Sequence, residues 1–498
     1  MSTRSVVVTS LRGTIYDRNH QPLVNTGTQY KAALLPEKQL LQRVQSVMDV
    51  SQYQALLKSA QSGVPQVVNL LEPAAIAPGL RVFKTPTRYT DYCPCPHIVG
   101  HLNGDETSGV SGIELAYDSL LSQCTGQIKA TFKVDGLGEY LENTTISVTD
   151  NTDRANGGVV LTVDRELQQF VDSVSTQYLK RGAVLITDPN TGEILAASSF
   201  PTYRPDNVYA SLNSEDSALL NRLTAGYDCG SVLKIITGAA ALETGVLPDQ
   251  IYNCSGSITV QGTTFHCHHR LGHQTLNMKQ AFAQSCNLYF IQLAAQIGPV
   301  KIVEMAQRFG LLEEITLASS LVASAAVMPN VTELLSPAAL ANLSIGQGKL
   351  LVSPMHIAQM TAVVACNGTR MPLILVSGTL TSDGTLSEVV GGEGETILSA
   401  ATVSTIKEMM CLVVTEGTGQ GAYTDQITAA AKTGTAQTGQ ISEDGDVIQS
   451  WITGFISAEE PEYVITILAE DAETTHADTQ GLFCEISNKI TEIKRNRP

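Results

Sequence analysis

The chain has 498 residues, 43% hydrophobic and 16% charged, with a formal net charge of −17 at pH 7. That length exceeds one typical hydrophobic core, so two or more domains follow, and the composition is globular, not disordered. The acidic balance excludes a nucleic-acid binder working through a basic footprint and disfavours adsorption onto an anionic membrane surface.

No run of about 18 apolar residues occurs, so no transmembrane helix is predicted in this stretch. The opening MSTRSVVVTSLRG carries no signal-peptide cleavage pattern. Ten cysteines are scattered along the chain without a dense disulfide framework, and they leave the redox compartment open.

In chain order, LRGTIYDRNHQPLV alternates about a polar turn at residues 17–21 and reads as strand, turn, strand. PEKQLLQRVQSVMDVSQYQALLKSAQ and GVSGIELAYDSLLSQC have helical spacing. The polar, Gly/Asn-rich TTISVTDNTDRANGGVV marks a domain boundary, placed at residue 155. Beyond it, GGVVLTVDRELQQFVDSVSTQYLKRG is a strand leading into an amphipathic helix. GAVLITDPNTGEILAASSFP is a hairpin about an Asp-Pro-Asn-Thr-Gly turn. Helical segments follow, then three strands in ITAAAKTGTAQTG, SWITGFISAE and EYVITILAED, and a last helix. Strands at both ends of this region with helices between them predict an antiparallel sheet built from distant segments and covered by helices.

Three short motifs carry chemistry. In YDCGSVLKIITGAAALETG, Ser231 and Lys234 stand three apart at the mouth of an apolar helix, so they share a face. A serine hydroxyl needs a base to become a nucleophile, and a lysine serves as one only when desolvation or a nearby cation lowers its pKa. Ser285-Cys286-Asn287, within a helical region, adds a second hydroxyl and an amide. Lys432-Thr433-Gly434-Thr435, on a predicted strand, offers a cation, two hydroxyls and a glycine that lets another backbone approach. Each alone is commonplace; a kinked polar helix or a lysine-protected strand edge explains the second and third.

Together and in this order, Ser-x-x-Lys, Ser-x-Asn and Lys-Thr-Gly form the signature set of the penicillin-recognising serine acyltransferases. The chain resembles a class B penicillin-binding protein along nearly its whole length, including RGTIYDRN at residues 12–19, HIVGHLNGDETSGVSGIELAYDSLL with Gly109, Gly112 and Glu114, and SIGQGKLLVSPMHIAQMTAVVACNG. The resemblance implies an α+β protein: an elongated N-terminal pedestal over residues 1–155, and over residues 156–498 a β-lactamase-like transpeptidase domain whose central antiparallel sheet is flanked by helices. It implies a D,D-transpeptidase that cross-links peptidoglycan stem peptides ending in D-Ala-D-Ala and is acylated by β-lactams. In that scheme Ser231 is the nucleophile and Lys234 its base. Ser285 and Lys432 relay the proton, Asn287 positions the substrate, and Thr433, Gly434 and Thr435 hold its carboxylate. It further implies a membrane anchor upstream of residue 1, an extracytoplasmic location and a glycosyltransferase partner. Two positions depart from the family pattern: Cys229 stands where proline is usual before Gly-Ser, and Ala431 where glycine is usual before Lys-Thr-Gly.

Rival readings on the same fold are a serine β-lactamase or a D,D-carboxypeptidase; a non-catalytic β-lactam-binding scaffold is a third. The chemistry calls for no cofactor. NCSGSITVQGTTFHCHHRLGH together with Cys286 nevertheless offers a tetrahedral zinc site, with Cys254, Cys267, His269 and Cys286 as the preferred ligands. A Cys254–Cys267 disulfide and free thiols are the alternatives.

Overall fold

The computed structural model describes residues 2–137, 139–141, 144–442, 445–472 and 475–496. Its largest sheet has five antiparallel strands in the order Ile194–Phe200, Gly182–Thr187, Tyr463–Ala469, Gly445–Ile456, Ala429–Ser442. Gly182–Thr187 is buried at every position, the pattern of a strand covered on both faces. Its alternate residues enter different cores. Ala183 and Leu185 join the main cluster with the helices Lys234–Glu243 and Pro354–Ala365. Val184 and Ile186 pack with Arg165–Ser175 and the last helix, Thr479–Asn496. The predicted antiparallel sheet of distant segments is therefore present, with helices on both faces.

The Lys-Thr-Gly segment lies on Ala429–Ser442, an edge strand that pairs on one side only among the described residues. One row of its backbone groups is thus left available to a ligand lying alongside.

Among the described residues the N-terminal part forms two sheets of its own, ordered Ser2–Leu11, Gly126–Val134, Ser147–Asp150 and Gln66–Leu70, Gly27–Leu34, Leu80–Thr87. They share a core from Val8 to Ile146. Ile15, Ile98, Val99 and Ile113 join the main cluster instead, and Thr14–Tyr16 pairs in parallel with Gly158–Leu161.

Local chemistry interrupts three of the predicted segments. The helical run after residue 36 breaks at Asp49, whose carboxylate caps the N–H groups of Ser51 and Gln52 and starts a second helix. The second strand predicted after residue 21 contracts to a bridge between Tyr16 and Pro22, because proline supplies no donor to a ladder. The third break, at Ser285, falls in the candidate site.

Candidate active site

Ser231 lies in the 3-10 turn Gly230–Leu233, and Lys234 opens the α-helix Lys234–Glu243. In a 3-10 turn, side chains three apart eclipse one another, so the tight turn brings the two over the same spot. Gly230 adopts φ 53°, and a Cβ there would sit 2.4 Å from the Thr435 carbonyl oxygen. A Cβ on Gly434 would sit 2.7 Å from the Cys229 carbonyl oxygen. These two glycines let the Ser231 turn press against the edge strand.

Ser285 occupies the left-handed region at φ 49° between the helices Met278–Ala283 and Asn287–Ile297, with Cys286 as N-cap of the second. A non-glycine residue pays for that conformation, and here it turns the serine out of a helical run toward two lysines. The Lys234 ammonium donates to the Ser285 carbonyl at 2.7 Å, to Asn287 Oδ1 at 2.7 Å and to Ser285 Oγ at 3.3 Å. From the edge strand, Lys432 Nζ donates to Ser285 Oγ at 3.0 Å and to the Thr433 carbonyl at 2.9 Å. Asn287 Nδ2 donates to the His266 carbonyl at 3.2 Å. Among the described residues the Ser231 hydroxyl makes no hydrogen bond, to Lys234 or to any other group, and Ser231 is half-buried.

Both lysines are 0% exposed. Burial pulls Lys234 down to about 7, with the Cys286 and Cys267 thiols opposing. Burial, and then the charge on Lys234, holds Lys432 well below the usual lysine range. Two ammonium groups sharing one hydroxyl in a dry pocket repel, so the pair favours a neutral amine. Beneath each lies an aromatic face: Phe290 is 5.5 Å from Lys234 Nζ, and Phe282 is 5.5 Å from Lys432 Nζ. Sequence inspection misses these rings, because they fall on the apolar stripe of ordinary helices.

It also misses Thr418, whose hydroxyl lies 2.6 Å from that of Thr433. Thr418 N–H donates to the Ala283 carbonyl, two residues before Ser285, and its carbonyl accepts from Gln480 Nε2. The available signal was the run EGTG, residues 416–419, since a Cβ on Gly417 would meet the Ala283 oxygen at 2.2 Å.

Behind Ser285 and Asn287, one ligand atom each from Cys254, Cys267, His273 and Cys286 lies within 4.8 Å of the others. His273 takes the place expected for His269: the turn at Gly272, φ 78°, brings His273 back against the sulfurs, while His269 Nδ1 faces the Gly272 carbonyl at 2.9 Å. His273 Nδ1 is 3.6 Å from Cys254 Sγ and 3.4 Å from Cys267 Sγ, and the Cys267 and Cys286 sulfurs are 4.0 Å apart. Tetrahedral zinc with sulfur at 2.3 Å places sulfurs about 3.8 Å apart, so the donor set fits such an ion. No disulfide joins any of the ten cysteines. Cys267 ionises first, pulled down by its hydrogen bonds with Cys286 and His268 and with backbone N–H groups, while its neighbour Cys286 is held up.

A five-stranded antiparallel sheet with helices on both faces, and a Ser-x-x-Lys turn facing Ser-x-Asn and an edge-strand Lys-Thr-Gly, is the architecture of the penicillin-recognising serine acyltransferases. Comparison narrows the class. The family described as penicillin binding protein transpeptidase domain matches residues 182–492. Penicillin-binding protein PbpB of Mycolicibacterium smegmatis is 30% identical over 426 residues, covering 80% of this chain and 63% of that one. Peptidoglycan D,D-transpeptidase PbpA of the same organism is 28% identical over 418 residues, covering 79% and 82%. Penicillin-binding protein 3 of Mycobacterium tuberculosis, solved with aztreonam, superposes with a TM-score of 0.71 at 23% identity, over 99% of this chain and 98% of that one. The chain belongs to the penicillin-binding proteins, in their class B. It spans 63% and 56% of the length of the PbpB relatives from M. smegmatis and M. tuberculosis.

Proposed function

We propose that this protein is a peptidoglycan D,D-transpeptidase acting through an acyl-enzyme on Ser231. The observation that carries the reading is the sharing of one hydroxyl, Ser285 Oγ, by two fully buried lysines, one of them three residues after the serine. Neutral Lys234 takes the Ser231 proton as Oγ attacks the penultimate D-Ala carbonyl. The N–H groups of Ser231 and Thr435 receive the oxyanion. The C–N bond then breaks, and the departing D-Ala amine takes a proton through Ser285 and Lys432. Thr433 and Thr435 hold the terminal carboxylate, with Gly434 giving it room, and Asn287 orients the peptide. A second stem peptide's amine attacks the ester, gives its proton back along the same path and releases Ser231.

The Cys254, Cys267, His273 and Cys286 set would hold a structural zinc that fixes the strained Ser285 turn from behind, with no part in the acyl transfer. A division near residue 155 into pedestal and transpeptidase domain accords with the separate N-terminal core. The substrate chemistry calls for placement at the outer face of the bacterial membrane beside a glycan-polymerising partner. The pedestal is the natural partner surface; a Helicobacter pylori protein of this fold was solved as a complex of PBP2 with MreC.

Intact-mass spectrometry after brief exposure to benzylpenicillin tests the reading. The parent should gain one lasting drug mass and Ser231→Ala none. Turnover without an adduct would assign a β-lactamase, and neither adduct nor turnover a scaffold.

A further inference from the structure

Outside the reacting groups, the loop that delivers Ser231 starts from a part-buried polar contact that the chemistry above does not use. Tyr227, four residues before the nucleophile, donates its phenol hydrogen to Glu470 Oε1 at 2.5 Å. Glu470 follows the central strand Tyr463–Ala469, and its backbone N–H is tied to the Arg181 carbonyl at 3.0 Å. The same carboxylate oxygen is 3.0 Å from Arg222 Nε, in ion-pair range though not in hydrogen-bond geometry. Arg222 is 2% exposed and donates to the carbonyls of Asp216 and Ser217. The carboxylate is therefore a post anchored at its backbone by Arg181 and faced at one oxygen by Tyr227 and Arg222.

Between post and nucleophile the loop is guided on its other sides. Tyr227 exchanges both backbone hydrogen bonds with Val352 at 2.9 Å, and its ring stands edge-on to Trp451. Trp451 Nε1 donates to the Asp228 carbonyl at 2.9 Å, and Trp451 lies opposite Gly434 in the sheet. Gly230 N–H donates to the Gly346 carbonyl at 3.0 Å. At position 229, where a proline ring would stiffen the approach, this chain has cysteine, with φ −97°. A loop without that restraint needs another one.

We propose that Tyr227 and Glu470 form a latch that sets the position of Ser231 against the Lys-Thr-Gly strand, making Tyr227 a positioning residue for acylation. The inference rests on the acyl-transfer reading for its kinetic consequence, not for the latch itself. A nucleophile displaced by a fraction of an ångström keeps its fold but loses rate.

Tyr227→Phe keeps the ring and removes the hydroxyl. Intact-mass time courses across benzylpenicillin concentrations should show the limiting acylation rate constant falling about fivefold, as for one lost hydrogen bond. The half-saturating concentration should stay unchanged, and every molecule should still be acylated at long times. Glu470→Ala should reproduce this loss. Glu470→Gln, whose amide oxygen still accepts from the phenol, should keep the rate within about twofold while losing thermal stability beside Arg222. Hydrogen exchange in peptides covering residues 228–233 should quicken in Tyr227→Phe with the remainder of the chain unchanged. Unaltered exchange overturns the latch, as does a parent-like limiting rate with only a smaller acylatable fraction. Quickened exchange in a protein whose parent form never acylates would uphold the latch and remove the acyl-transfer reading instead.

Discussion

Phe290 offers a direct handle on the charge state of the base. Its ring lies 5.5 Å beneath Lys234 Nζ and is fully buried. A cation over an aromatic face at this distance, in a desolvated pocket, gains about 1 kcal/mol, and the gain belongs to the protonated form alone. Removing the ring therefore lowers the lysine pKa further below about 7, by about 0.7 of a pH unit. Acylation by a neutral Lys234 should rise about tenfold per pH unit on the acid side and level off above about 7. In Phe290→Leu, which keeps most of the buried volume, the acid limb should move to lower pH by that amount. The assay is the apparent second-order rate of benzylpenicillin acylation from pH 5 to 9. Lost packing reduces the amount of folded protein but does not move the limb's midpoint, so the midpoint is the quantity to compare. A midpoint that stays in place, or moves upward, refutes cation–π stabilisation of the ammonium and with it the assignment of the limb to Lys234.

Two further outcomes concern the frame around the site. Glu114 is 0% exposed between Arg12 Nε at 3.2 Å and Arg88 Nε at 2.5 Å, with Tyr89 also donating; Glu114→Ala leaves the Arg88 guanidinium without a carboxylate, while Arg12 keeps Asp118 at 2.6 Å, and should cost about 3 kcal/mol in denaturant unfolding, and a loss below about 1 kcal/mol would show that the network carries no load. Purified protein should contain about one zinc per chain, and chelation should lower the melting temperature and the acylation rate together, whereas metal-free protein with full acylation would leave the Cys3His cluster as a set of reduced thiols.

The family signature was legible because catalysis demands fixed residue types at fixed spacing, and the central sheet because strands buried on both faces leave continuous apolar runs such as AVLIT at residues 183–187. What escaped is the part that chemistry leaves to packing. Ser285 and Asn287 stand in a helical-looking run whose interruption shows only as a left-handed φ. His269 and His273 are equivalent by spacing, and the Gly272 turn chooses between them. Phe282 and Phe290 read as core, which they are, while also facing the lysines. Thr418 reaches the site, and Glu470 the loop before Ser231, from distant segments, and no local pattern marks a residue whose partner is fixed by tertiary folding.

The site is also a liability that the rest of the fold sustains. Lowering a lysine from an ordinary 10.5 to about 7 corresponds to a cost on the order of 5 kcal/mol for keeping it charged inside the folded protein. The sign follows from proton binding. Below about 7 both folded and unfolded chains hold the proton, so the whole cost is present and stability is flat with pH on this account. Between about 7 and 10.5 only the unfolded chain holds it, so stability rises with pH. Lys234→Met should therefore be more stable than the parent at pH 6, by less than that upper bound because Ser285 and Asn287 lose their donor, and its advantage should shrink toward pH 10. Lys432 adds to the trend, since loss of the Lys234 charge relieves it as well. Denaturant unfolding of both proteins at pH 6 and pH 9.5 measures this, with zinc content held equal. A variant no more stable than the parent at pH 6 would mean that the buried amine is already satisfied where it lies, and would remove the physical reason for treating Lys234 as the neutral base.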